Sequence, residues 1–240
     1  VTDIVKQFWF AEPFGPEGGT EFAALLLAIA AHDLRQPLQM MQYVHNSLGR
    51  AIRTRPELEL MEVSQAAINQ MSQRLKDILG ALVVHKRIRK VEREDVAVGP
   101  LLEQARRENR DIAARKGIGI RVVGTSACVR SDPLLLSVML RNLLNNAVHY
   151  TKPGGRILVG CRNSGPLVRI DVIDTGVGIS DAAMPRLFQA LTRLEPERSD
   201  GLGIGLFIVR KAAELLGHRI DVSSTANRGS RFSIVAPRAT

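Results

Sequence analysis

Between Glu57 and Arg89, the positions Met61, Ser64, Ile68, Met71, Leu75, Ile78 and Leu82 follow one another at alternating steps of three and four residues. That spacing is the heptad seam of a helix lying along another helix. It constrains the fold strongly, because a helix of ~30 residues is ~45 Å long at 1.5 Å per residue and outgrows a small globular core. Upstream, from Glu21 to Arg53, Leu25, Leu26, Ile29, Leu34, Leu38, Met41, Val44, Leu48 and Ile52 recur at helical spacing, and Thr54-Arg55-Pro56 breaks the run. Two long helices joined by so short a turn form an antiparallel hairpin. A hairpin of two amphipathic helices leaves an apolar seam uncovered, and pairing with a second copy into a four-helix bundle covers it. A homodimer is therefore expected; the alternative is an arm packed on the rest of its own chain.

The first helix carries an internal conflict, Ala31-His32-Asp33-Leu34-Arg35-Gln36-Pro37-Leu38. A proline in a helix interior removes a backbone hydrogen bond and clashes with the carbonyl four residues back, at a cost of ~3 kcal/mol. The carbonyl freed is that of Asp33, directly after a histidine. Breaks of a local rule tend to survive where chemistry needs them.

From Asp95 the pattern turns to mixed α/β. Helical runs are predicted at Val98–Lys116, Asp132–Tyr150 with Asp132 as N-cap, and from about Gly203 to Leu216. Strands are predicted at Ile118–Val123, Ala127–Arg130, Ile157–Arg162, Val168–Asp174, His218–Ser223 and Ser230–Val235. Helices gathered on one face of a mostly antiparallel sheet make a two-layer α+β sandwich. The predicted organisation is a linker over residues 1–20, a helical hairpin over 21–92 and the sandwich over 93–240. Because the chain opens on Val1, the linker is expected to lead from a sensor region lying elsewhere.

Composition narrows the partners. The net charge is +9, which suits nucleic acid, an anionic membrane surface, nucleotide phosphates or an acidic protein. Aromatic residues are 4% of the chain, too few for a base-stacking surface, so no nucleic-acid partner is expected. No apolar run reaches the ~18 residues of a spanning helix. Cys128 and Cys161 lack metal-ligand spacing and read as reduced thiols, so this fragment is expected to be cytoplasmic and without membrane contact.

Three segments of the sandwich carry chemistry. Asn142, Asn146 and His149 fall in a narrow arc of the helix 132–150, opposite Leu136, Leu140, Leu143, Leu144 and Ala147. A merely solvated face would favour better helix formers than Asn, and amide oxygens can enter a Mg²⁺ shell bridged to phosphate. Asp174-Thr175-Gly176-Val177-Gly178 follows a strand; its carboxylate can accept from an exocyclic amine, and glycines let backbone approach a flat ligand. Gly201-Leu202-Gly203-Ile204-Gly205 opens a helix, where backbone N–H groups and the helix dipole favour phosphate. A dinucleotide-binding reading fails, because the strand, glycine loop and helix that open a βαβ unit, with an acid ~20 residues on, are missing as a set. Between the last two segments, residues 181–200 carry Arg186, Arg193 and Arg198 and read as a lid.

In this order the motifs resemble the sensor histidine kinases of two-component signalling, over roughly residues 21–240. His32 to Pro37 looks like that family's histidine box and Asn142 to Thr151 its asparagine box. Asp174 to Gly178 and Gly201 to Gly205 look like its two glycine boxes, with Leu187-Phe188 as the intervening phenylalanine motif. The resemblance implies a dimerisation and histidine-phosphotransfer hairpin followed by an ATP-binding domain of the gyrase, chaperone, histidine kinase and MutL type. By it, His32 is the phosphoacceptor and Asp33 the neighbouring acid or base. Asn146 is the Mg²⁺ ligand, supported by Asn142; His149 stands where the family often has Lys and reaches the phosphates. Tyr150 lines the purine pocket and Asp174 holds the adenine amine, while Gly176, Gly178, Gly201, Gly203 and Gly205 with Arg193 and Arg198 surround the nucleotide. The implied activity is autophosphorylation on His32 from ATP and relay to an aspartate of a response-regulator receiver domain. Gln36 replaces the family's usual Thr or Asn, which implies weak phosphatase activity. Two other readings are a scaffold that binds ATP without transfer, and an ATP-gated clamp acting on DNA. Retention of His32, Asp33, Asn146 and Asp174 argues against the first, and the histidine-bearing hairpin against the second.

Overall fold

The computed structural model describes residues 55–88, 90–190 and 203–239, with positions 40, 41 and 43. The linker, His32, Asp33, Gln36, Arg193, Arg198 and Gly201 lie outside the described residues. The chain divides into two compact units between His85 and Lys86.

Helix α1, Arg55–Arg87, belongs to the first unit over all but its last two residues. From Ala67 onward its most buried and most exposed apolar positions fall on different sides, while Val63 nearer the start is 46% exposed. Ala67, Ile78, Ala81 and Val84 are buried, whereas Ile68, Leu75, Leu79 and Leu82 are between 39% and 50% exposed. At 3.6 residues per turn the exposed four lie within about 60° of arc. The single predicted seam is thus split: Ile78 is buried, while Ile68, Leu75 and Leu82 form an outward apolar edge.

The second unit runs β1 (Glu94–Ala97), α2 (Val98–Arg115), β2 (Gly119–Val122), β3 (Cys128–Ser131), α3 (Pro133–Tyr150), β4 (Arg156–Ser164) and β5 (Leu167–Asp174). A 3₁₀ turn (Met184–Arg186), α4 (Gly205–Leu216), β6 (Arg219–Thr225) and β7 (Gly229–Pro237) complete it. Five strands form one sheet in the order β2-β4-β5-β7-β6. Only β2 and β4 run parallel; the other pairs are antiparallel. One face carries Ile157, Val159, Val168, Ile170, Val172 and Ile234, all 2% exposed or less. Leu102 of α2, Leu136, Leu140, Leu143 and Leu144 of α3, and Val209 of α4 are buried to the same degree. Alternation along the strands dictates this arrangement, since every second side chain points to the same face. It is the expected two-layer α+β sandwich.

Two details depart from expectation. β1 is unannounced in the sequence, because Glu94-Asp95-Val96-Ala97 buries only Val96. It pairs antiparallel with β3, so β3 belongs to a separate two-stranded ladder and not to the main sheet. Helix α4 begins at Gly205, leaving Gly203 outside it with φ 69°.

Candidate functional site

α3 is the site's backbone, and both of its ends are tied down. At the N-terminus, Asp132 is fully buried and accepts from Leu134 N at 3.0 Å and Leu135 N at 3.2 Å through Oδ1. Its Oδ2 accepts from Glu92 N at 3.0 Å and from Arg87 Nε at 3.1 Å. The expected N-cap is therefore present, and its second oxygen is also engaged. At the C-terminus a helix leaves its last four carbonyls without intrahelical donors. Here each has one. Thr151 Oγ1 and N reach Ala147 O at 2.6 and 3.0 Å. Lys116 Nζ donates to Val148 O at 2.7 Å and His149 O at 2.8 Å. Val177 N reaches Tyr150 O at 3.2 Å, joining the helix end to the Gly176–Gly178 loop.

A cleft of about 350 Å³ opens beside α3. Its polar lining is Asn146, Tyr150, Lys152, Asp174, Ser180, Asn227 and Ser230; Val177, Ile179, Leu187, Leu206 and Phe232 supply apolar walls. Asp174 ends β5 and is 7% exposed. Its Oδ1 accepts from Gly176 N at 2.8 Å and Ser230 N at 3.3 Å, which leaves Oδ2 as the acceptor for a ligand. Burial pushes this carboxyl above the usual carboxylate range, and the two N–H groups pull it partly back. A Cβ on Gly176 would lie 2.6 Å from Tyr150 O and 2.7 Å from Asp174 Oδ1, so the carboxylate keeps this position only beside glycine. Gly178 has φ 68°, and a Cβ there would run into the Thr225 carbonyl.

The opposite wall is the start of α4. Ile204 precedes the helix and gives no side-chain cap, so the first-turn N–H groups remain available to an anion. A Cβ at Gly205 would sit 3.0 Å from Asn142 Oδ1 and 3.9 Å from Asn146 Oδ1. Both amide oxygens thus converge on the opening of α4, and the missing Cβ keeps that space clear. Asn142 is 5% exposed, does not line the cleft, and donates through Nδ2 to Val138 O at 2.8 Å. Its place is behind the site, holding Gly205.

Of the residues singled out from the sequence, Asn146, Tyr150, Asp174, Gly178, Gly203 and Gly205 line the cleft, with Gly176 packed beneath Asp174. His149 does not line it; its ring stands edge-on to Tyr150 with centroids 4.8 Å apart. Among the described residues the basic side chain lining the cleft is Lys152. Helical projection could not have found it, because α3 ends at Tyr150 and the chain past Thr151 leaves the helix direction. Ser230 and Phe232 were also missed, since β7 reads as an ordinary strand until its register beside Asp174 is known.

The described residues hold no cluster of three or more His, Cys, Asp or Glu able to bind a metal by themselves. A Mg²⁺ at this site fits only as an ion shared between Asn146 and ligand phosphates. The donor set suits that role, since Mg²⁺ takes few protein oxygens and keeps several waters.

Comparison with known proteins points the same way. Residues 131–240 match the family described as histidine kinase-, DNA gyrase B- and HSP90-like ATPases. The sensor histidine kinase CusS of Escherichia coli O157:H7 is 31% identical over 220 residues, covering 86% of this chain and 44% of CusS. The adaptive-response sensory kinase SasA of Synechococcus elongatus is 28% identical over 231 residues, covering 91% of this chain and 60% of SasA. The chain thus spans about half the length of the curated relatives it matches. Among solved structures, the mycobacterial sensor histidine kinase MprB is 26% identical with a TM-score of 0.54, covering 61% of this chain and 98% of that one. Histidine kinase ThkA, solved with the response regulator TrrA, shares the fold with a TM-score of 0.64 at 20% identity, over 92% of this chain and 64% of that one. The residues that line the cleft fall within the stretch that matches the ATPase family, and the chain belongs to the sensor histidine kinase family.

Proposed function

We propose that this chain is the catalytic core of a protein-histidine kinase that binds ATP in the cleft and phosphorylates His32. The phosphoryl group then passes to an aspartate of a response-regulator receiver domain. The observation that carries the reading is Asp174: a buried carboxylate fixed through Oδ1 by Gly176 and Ser230, with Oδ2 left as acceptor for an adenine amine. Ile179, Leu187 and Phe232 supply the apolar surface a purine needs. The first-turn N–H groups of α4 and Lys152 face the phosphate end. ATP supplies the γ-phosphoryl group, and Asn146 would hold the Mg²⁺ that neutralises its charge.

His32 acts as nucleophile in its neutral form. An imidazole nitrogen forms a bond to the γ-phosphorus, the bond to the ADP oxygen breaks, and Asp33 takes the proton released. Residues 21–92 would form the hairpin bearing His32, and 93–240 the catalytic domain. The outward apolar edge Ile68, Leu75, Leu79 and Leu82 supports a homodimer joined through that hairpin. The kinase–regulator complex of ThkA with TrrA supports a receiver domain as the partner. Gln36 carries an amide on a longer stem than Thr or Asn, so water would be held in a shifted place and phosphatase activity would be weak. No helix among the described residues is long and apolar enough to cross a membrane.

Incubation with γ-labelled ATP tests this reading. Acid-labile, alkali-stable label is expected on the wild-type chain and should vanish in His32→Ala, which retains nucleotide binding. Asp174→Asn should lose both. Nucleotide binding without label on the wild-type chain would leave the scaffold reading standing.

A further inference from the structure

The sheet face turned away from α2, α3 and α4 is unusually basic. Register places Arg121 of β2, Arg156 and Arg162 of β4, Arg169 of β5, Arg231 of β7 and Arg219 of β6 on that one face. Its only acidic residues are Asp171 and Asp221. Each is held by a neighbour two residues away: Arg169 Nε lies 3.1 Å from Asp171, and Arg219 Nε lies 2.9 Å from Asp221. Arg121, Arg156, Arg162 and Arg231 are exposed and make no ion pair among the described residues.

Two features mark this face as more than solvated charge. Arg162 stands directly opposite Arg169 in the β4–β5 register. Asp171 offsets the Arg169 charge, which leaves Arg162 beside it without an acidic partner on this face. The arginines are also interleaved with apolar side chains, Leu158 at 39% and Val123 at 43% exposure. Arginine, with its planar fork, is suited to pair with phosphate oxygens, whereas a merely soluble surface has no need of that residue over lysine.

We propose that this face adsorbs to an anionic phospholipid surface. The exposed arginines spread over four of the five strands, around a centre where Asp171, Ser233 and Val235 are buried, and such a spread of charge matches a bilayer better than a groove. The face carries no aromatic residue, and stacked aromatics are what single-stranded nucleic acid uses on a sheet. Protein interfaces likewise concentrate their energy in aromatic anchors seated in pockets. Charge complementarity with scattered aliphatic contacts is the pattern of peripheral membrane adsorption. The nucleotide cleft opens on the helix side, among α3 and α4, so it stays accessible while the sheet face is covered. The lack of a spanning segment predicted no membrane contact for this fragment; adsorption by a basic sheet face needs no such segment.

Flotation of the 240-residue chain with vesicles tests the proposal. Binding is expected to vesicles containing phosphatidylserine, to be lost in high salt, and to be absent with phosphatidylcholine alone. Arg121→Gln/Arg156→Gln/Arg162→Gln/Arg231→Gln should weaken it by about tenfold or more while leaving nucleotide binding intact, which also confirms folding. A control removing charge from α2, Arg107→Gln/Arg110→Gln/Arg115→Gln, should keep most of the binding. Equal loss in both variants, or no binding by the wild-type chain, would overturn the assignment. So would capture by an acidic polypeptide or by RNA under conditions where vesicles are ignored.

Discussion

Replacing Lys116 by Met would test whether the C-terminal pin of α3 sustains the nucleotide cleft. The substitution keeps the length and apolar stem and removes the ammonium that bonds Val148 O at 2.7 Å and His149 O at 2.8 Å. Hydrogen bonds to charged groups contribute about 1.5–3 kcal/mol each, before water reclaims part of the loss. A cation at a helix C-terminus adds roughly 0.3–1 kcal/mol through the dipole. Against these stands the cost of burying the ammonium, which pushes the Lys116 pKa below its usual 10.5. Lys116 is only half-buried, so water re-solvates the freed carbonyls in part. The net expectation is a loss of about 2 kcal/mol, because two charged bonds outweigh one partial desolvation. That corresponds to a fall in Tm of roughly 4–8 °C for a domain of this size.

The functional consequence follows from what the pinned segment carries. Asn146 and Tyr150 line the cleft within one turn of those carbonyls, and Tyr150 O in turn receives Val177 N from the Asp174 loop. Fraying of this turn should weaken binding of a fluorescent ATP analogue by about fivefold, or ~1 kcal/mol. Lys116→Arg, which can reach both carbonyls, should recover most of the affinity. A Met variant that unfolds at or above the wild-type temperature would refute the reasoning, since it would mean that burying the ammonium outweighs its bonds. An unchanged nucleotide affinity together with a lowered Tm would refute the link to the site alone.

Gly205→Ala separates stability from binding: the added methyl improves helix propensity by up to ~1 kcal/mol but intrudes on Asn142 Oδ1 at 3.0 Å and crowds the anion end of the cleft. Tm should change little while ATP affinity falls about tenfold, and equal affinity by titration calorimetry would show that the space before α4 is not used. Burial and the nearby Arg93 charge push the His218 pKa from 6.5 down to about 4. Because the unfolded chain binds this proton first, stability should be constant above pH 6.5 and decline by about 3 kcal/mol in total as pH falls through that interval, which urea unfolding of wild type against His218→Gln would reveal as a slope present only in wild type.

The heptad spacing in α1, the alternation of the five sheet strands and the N-cap at Asp132 were legible because each is a local pattern. The glycine and asparagine segments were legible for the opposite reason: they are costly in local terms and need a ligand to justify them. What escaped is relational. Lys152 lines the cleft just past the end of α3 at Tyr150, where a helical projection no longer applies, whereas His149, inside the helix, is absent from the cleft lining. β1 escaped because a strand that buries one residue in four has no period to detect. Ile68, Leu75 and Leu82 were read as one seam with Ile78, but spacing alone does not say which side of a helix faces its own chain and which faces outward.

Asp132 is fully buried and caps α3, and its second oxygen is bonded by Arg87, the last residue of α1. Arg87 also contacts Glu92 at 2.8 Å, just before β1. A fully buried carboxylate stripped of its cation costs about 3–5 kcal/mol, far more than the pair gains as a surface contact. The start of the nucleotide helix is therefore coupled to the position of Arg87. Its end is fixed independently, by Lys116 from the close of α2. Asn146 sits between these two anchors on a single rigid helix, nearer the second. A shift of Arg87 would thus act mainly on the N-terminal half of α3 and reach Asn146 only by translating the whole helix, against the hold of Lys116.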